Sequence, residues 1–170
     1  MPDQVFFADY EDVYIFKLLG NFHFSLCPAV EEFMRTVLTE KGMRPVVVDM
    51  TETTGIDSTG MGFLAQIALH SKRMLQAKPT LLVADNDILK ILKGMDFETV
   101  FTVLYGNESS GAEFQEIQPI AADEKELTRN ILSAHRNLMS MSPENKAKFE
   151  QVIKVFEKKA AASRFESSKS

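Results

Sequence analysis

Cysteine is almost missing from this sequence: Cys27 stands alone among 170 residues, so no disulfide can form within the chain. It precedes Pro28 at an expected helix start, a place that could lower its pKa somewhat and suit redox sensing, although an inert thiol is the simpler expectation. Long apolar runs are missing too, and none approaches the roughly 20 residues of a membrane-spanning helix. The opening MPDQVFFADYED has neither the basic start nor the cleavage site of a signal peptide, so a cytoplasmic protein without membrane association is expected. The three histidines, His23, His70 and His135, are far apart, and none lies in a His-Glu-x-x-His or nucleophile-elbow pattern. There is no Walker-type phosphate loop. Asp57-Ser58-Thr59-Gly60 differs from the aspartic-protease triplet by the intervening serine and occurs once. These absences argue against an enzyme, a bound cofactor and a metal site.

Positive charge is also scarce where most of the chain lies. The net charge of −5 divides into 9 basic and 17 acidic residues over 1–120, against 10 basic and 7 acidic over 121–170. An acidic body argues against a nucleic-acid partner, because phosphate binding needs a positive footprint. The mildly basic tail interleaves its charges, as solvated helix faces do.

At 45% hydrophobic, the chain can build one ordinary core with an appendage. Val5–Ala8 and Val13–Leu19 read as a hairpin around the polar Asp9–Asp12, with Gly20-Asn21 breaking the second strand. Val30, Phe33, Met34, Val37 and Leu38 share one face of a helix that opens at Pro28 and stops at Lys41-Gly42. Pro45–Met50 is a β-branched run suited to a strand buried on both faces. Met61, Leu64, Ala65, Ile67, Ala68 and Leu75 then recur at helical spacing. Thr80–Ala84 reads as another strand.

The loop Gly106–Gly111 has no apolar periodicity, and Glu113–Ile120 fits either a short strand or a linker. Leu127, Ile131, Ala134 and Leu138 form a new helical stripe. Ser142-Pro143 then starts a last helix carrying Phe149, Val152, Ile153, Phe156 and Ala160, with a frayed end from Ser163. A face of that kind packs on the body, pairs with a second copy, or meets a partner; packing on the body is the simplest outcome.

The segment from Ile56 to Leu64, IDSTGMGFL, follows a buried strand and opens an amphipathic helix. With VYIFKLLGNFHF at Val13–Phe24, the helix at Pro28–Glu40, TLLVA at Thr80–Ala84 and DILKILKGMDFETVF at Asp87–Phe101, it resembles the STAS domain of bacterial anti-sigma factor antagonists. The resemblance implies an α/β sandwich in which helices pack on a four- to five-stranded mixed sheet. A STAS domain over residues 1–118 would be followed by C-terminal helices over 119–170, the first of them able to close the domain. It also implies that Ser58 is phosphorylated and that Asp57, Thr59, Gly60, Met61 and Gly62, with Asn21 and His23, contact partners. Those partners would be a serine-protein kinase acting as anti-sigma factor, a PP2C-type phosphatase, and a sigma factor or another regulator as output.

On the residues alone, Ser58 could equally be a plain helix N-cap, and Gly60 and Gly62 could serve local packing. His23 stands where the family pattern has an acidic residue after Gly-x-Leu. Two other readings stay open at this level: a STAS subunit without the switch, within a structural or lipid-transport assembly built or dimerised through the C-terminal helices, and small-molecule binding at the strand ends.

Overall fold

The computed structural model describes residues 2–107 and 111–169, with the side chains at 152, 156, 159, 160 and 163–169 left aside. Strands β1 (Gln4–Tyr10) and β2 (Val13–Phe22) form the expected hairpin. Its two-residue turn places Glu11 and Asp12 at φ 52° and 65°, the left-handed pair that suits the twist of two strands. β2 continues through Gly20, contrary to the expected break. Gly20 adopts φ 77°, and the register toward a neighbouring strand shifts between Gly20 and Asn21, so the glycine bends the strand without ending it.

Helix α1 (Cys27–Lys41) accepts Pro28 in its first turn, where no intrahelical N–H is required, and stops at Gly42 with φ 79°. β3 (Val46–Met50) follows. The next strand, β4 (Thr53–Ile56), was not expected and pairs in parallel with the far end of β2. After it come α2 (Ser58–Leu75), β5 (Thr80–Val83), α3 (Asn86–Gly94), a 3₁₀ turn at Phe97–Thr99 and β6 (Thr102–Tyr105). β7 (Gln115–Glu116) resolves part of the ambiguous stretch as a short strand against β1; within the preceding loop, 108–110 lie outside the described residues. Helices α4 (Glu124–Met141) and α5 (Pro143–Lys169) complete the chain. The order within the sheet is β6-β5-β3-β2-β1-β7, with β4 beside β2. The β2–β3, β3–β5 and β5–β6 pairs are parallel, and α1, α2 and α3 supply the connections that parallel neighbours demand.

Val48, Met50, Leu81 and Val83 are fully enclosed at the centre of the sheet, against Leu64, Ala65 and Ile67 of α2 and Leu92 of α3. The first C-terminal helix belongs to this body: Leu132, Ala134 and Leu138 of α4 are buried. A Cβ on Gly62 would overlap the main chain of Ala134, so the backbones of α2 and α4 touch there. The turn between α4 and α5 is tied down by polar contacts. Ser142 caps α5 by accepting from Asn145 N at 3.1 Å, as expected, and donates to the Asp96 carboxylate. The enclosed Asn145 donates from Nδ2 to the Met95 carbonyl at 2.9 Å, and Lys148 Nζ to the Gly94 carbonyl at 2.7 Å. Phe149 and Ile153 of the expected α5 stripe turn toward the body; Val152, Phe156 and Ala160 lie outside the described side chains. Among the described residues, no helix is long and apolar enough to cross a membrane.

Leu138 has no exposed surface and tests whether α4 shares the core. Replacing it with alanine removes buried methyl groups and leaves a cavity, so Leu138→Ala should cost about 2–5 kcal/mol in urea unfolding. A cost below about 0.5 kcal/mol, the range of surface changes, would mean that α4 stands outside the cooperative unit.

Candidate functional site

The end of β4 and the start of α2 present the chemistry that the sequence singled out. Asp57, not Ser58, is the helix N-cap. Its extended backbone (φ −92°, ψ 173°) turns the carboxylate back so that Oδ1 accepts from Gly60 N at 2.7 Å. The other oxygen, Oδ2, accepts from Phe24 N at 2.8 Å. One carboxylate thus satisfies an orphan amide of α2 and fastens the connection between β2 and α1 to the helix start. Because Asp57 takes the capping role, the Ser58 hydroxyl is left for another partner. That partner is His135 of α4: Ser58 Oγ and His135 Nε2 are hydrogen-bonded at 2.8 Å.

His135 is the residue at this point that the sequence did not single out. It is 4% exposed and its ring lies nearly parallel to Phe149 of α5, with centroids 5.2 Å apart and planes 18° apart. Burial pushes the imidazole below its usual range, and the neighbouring Asp57 carboxylate offsets this only in part. The neutral ring is therefore the form that meets Ser58. The signal was present in the spacing, since position 135 falls between 131 and 138 on the buried stripe of α4, where a histidine is an anomaly.

The remaining expected site residues divide into two sets. Thr59, Gly60, Met61 and Gly62 are buried. The space a Gly60 side chain would fill is taken by the Phe22 carbonyl and ring, and the space at Gly62 by α4, so the packing alternative has identified atoms behind it. Asn21 and His23 remain at the surface beside Ser58's end of the sheet and share one carboxylate. Asp3 Oδ1 accepts from Asn21 N at 2.9 Å, and Asp3 Oδ2 lies 3.3 Å from His23 Nε2. An acidic group thus reaches this surface from Asp3, immediately ahead of β1. His23 Nδ1 also meets Ser25 Oγ at 2.7 Å. His70 lies farther along α2.

Cys27 fits the simpler expectation of an inert thiol and shows none of the lowering that a helix start can give. It is 2% exposed, and burial, reinforced by Asp57 and Glu31, drives its pKa far above the usual thiol value. Among the described residues, no group of three or more His, Cys, Asp or Glu could hold a metal ion.

A hydroxyl at the first turn of a helix, held by an imidazole and flanked by a capping carboxylate, defines a polar point at the carboxyl ends of parallel strands, where α/β sheets commonly place their sites. The family model of the STAS domain matches residues 7–106, and the chain belongs to the STAS domain family. Among solved structures, the chain is similar to the anti-sigma factor antagonist SpoIIAA in its unphosphorylated form. The two share 11% sequence identity with a TM-score of 0.46, over 58% of this chain and 84% of that one. No curated protein matches the sequence.

The neutral state of buried His135 carries a pH signature. Its folded pKa lies below the unfolded value of about 6.5, so as pH falls through that value the unfolded chain takes up the proton first and stability drops. The slope should reach at most about 1.4 kcal/mol per pH unit for one proton. Urea unfolding at several pH values between about 5.5 and 7.5 should lose stability more steeply in the wild type than in His135→Phe, which keeps the ring against Phe149. Equal slopes in the two proteins would contradict the assignment.

Proposed function

We propose that the chain is an anti-sigma factor antagonist, a partner-switching module in which Ser58 carries the switch. Unphosphorylated, it binds a serine-protein kinase that also acts as an anti-sigma factor, or an equivalent regulator, and so frees that partner's target. Phosphorylated on Ser58 by the kinase, it lets go, and a PP2C-type phosphatase resets it. Kinase and phosphatase supply the chemistry; this chain supplies a hydroxyl and a docking surface, with no cofactor. In this reading residues 1–118 form the STAS domain, residues 119–170 are its helical appendage, and the exchange takes place in the cytoplasm.

The single observation that carries the proposal is the local geometry of a STAS member: Asp57 caps α2, which leaves the hydroxyl of the half-buried Ser58 uncommitted to the helix at the carboxyl end of the strands. A phosphate there adds roughly −1.5 to −2 charges at the surface where a partner would dock. The same phosphate sits at a helix N-terminus, a location that favours negative charge by a few tenths to about 2 kcal/mol. The switch therefore acts on the interface, and the fold tolerates it.

Incubation with ATP, Mg²⁺ and lysate of the source cells, followed by intact-mass and peptide mass spectrometry, should place one phosphate on Ser58 that disappears in Ser58→Ala. Phosphate elsewhere, or none, would move the weight to an assembly subunit without a switch. Ser58→Asp should keep its far-ultraviolet circular dichroism and lose the kinase in pull-down; an unfolded Ser58→Asp would contradict the claim that the fold tolerates charge at this point.

A further inference from the structure

We infer that the α4–α5 hairpin is an intramolecular cover over Ser58, and that its seating and the phosphorylation of Ser58 oppose each other. The inference rests on the reading of Ser58 as the modified residue.

The cover meets the site through His135. With Nε2 at 2.8 Å from Ser58 Oγ, the imidazole occupies the hydroxyl's hydrogen-bonding direction. A phosphoryl group on Oγ either displaces the ring or swings away and forfeits the bond. The ring has no room to retreat, because Phe149 is stacked behind it. Nor can α4 adjust by settling deeper, because its main chain at Ala134 already touches α2 at Gly62.

Charge is divided: the N-terminus of α2 favours a phosphate, whereas the Asp57 carboxylate beside it and an imidazole whose burial favours the neutral form oppose it on the side facing α4. Relief comes from loosening the helix that carries the imidazole. The two ends of the hairpin are held differently. Its turn is anchored to the Gly94–Asp96 corner by Ser142, Asn145 and Lys148, whereas the other end of α4 is fed by residues 118–123, which form neither helix nor strand and are mostly exposed. By linkage the effect is reciprocal: a seated hairpin disfavours the phosphorylated state as strongly as phosphate disfavours the seat.

The chain carries its own reporter. Cys27 lies in a narrow cleft where α1, α2 and α4 meet, lined by Thr59 and Phe63 on one side and Asn130, Ser133 and Ala134 on the other. Lifting α4 opens that cleft to a thiol reagent.

The test uses the full chain with phosphoserine installed at position 58 during translation, compared with the unmodified chain. Two rates are read: hydrogen exchange of the α4 amides and reaction of Cys27 with Ellman's reagent. Both should rise at least about fivefold in the phosphoserine protein, the lower end of usual coupling between sites, while exchange in β3 stays unchanged. Unchanged rates would overturn the cover. Slower exchange in α4 would overturn it in the opposite sense, with the hairpin clasping the phosphate. Faster exchange in β3 as well would assign the effect to general destabilisation and also overturn it. No kinase enters this measurement, so absence of phosphate on Ser58 in lysate would sink the functional reading without touching the measured coupling.

Discussion

The site depends on one carboxylate. Asp57 stands between two pieces of backbone distant in sequence, and it accepts from Phe24 N on one side and Gly60 N on the other. The first contact fixes where the connection into α1 passes; the second fixes where α2 begins. Everything nearby inherits its position from this arrangement. Ser58 is the first residue of α2 because Asp57 is its cap, and its hydroxyl meets His135 because the cap does not need it. A single ionised side chain making two charge-assisted hydrogen bonds is a strong local constraint, since each is roughly twice as strong as a neutral one.

The second determinant is the closeness of α2 and α4. Backbone contact between helices requires a residue without a side chain on one of them, and Gly62 provides it opposite Ala134. Glycine is costly inside a helix, by roughly 0.5–1 kcal/mol relative to alanine. Here the cost is offset by bringing α4 close enough for His135 to reach the neighbouring turn. The C-terminal region is thus continuous with the domain at α4, and α5 adds the Phe149 ring behind the imidazole.

Much of this was legible in the sequence, for identifiable reasons. β3 and α2 announce themselves by a continuous β-branched run and by an apolar stripe, and α5 by Ser142-Pro143 at its start. β4 and β7 did not, because four and two residues are too few to establish any period. Gly20 was expected to end a strand, and it bends one; local sequence cannot distinguish the two when a later segment provides the pairing partner. The choice of cap between adjacent Asp57 and Ser58 is likewise undetermined locally, as both residue types cap well. The bond from Ser58 to His135 spans 77 positions, and only packing of α4 on α2 creates it.

Asp3 has a further consequence, for how the protein is prepared. Its carboxylate holds Asn21 and His23, and it crowds the space beside Gly20 together with the Pro2 carbonyl. A purification tag fused ahead of Pro2 therefore begins next to the surface that flanks Ser58, where added chain can block a docking partner or contribute stray charge. Binding experiments made with such a fusion would report partly on the tag, so interaction measurements call for a tag that can be cleaved off or placed away from this surface.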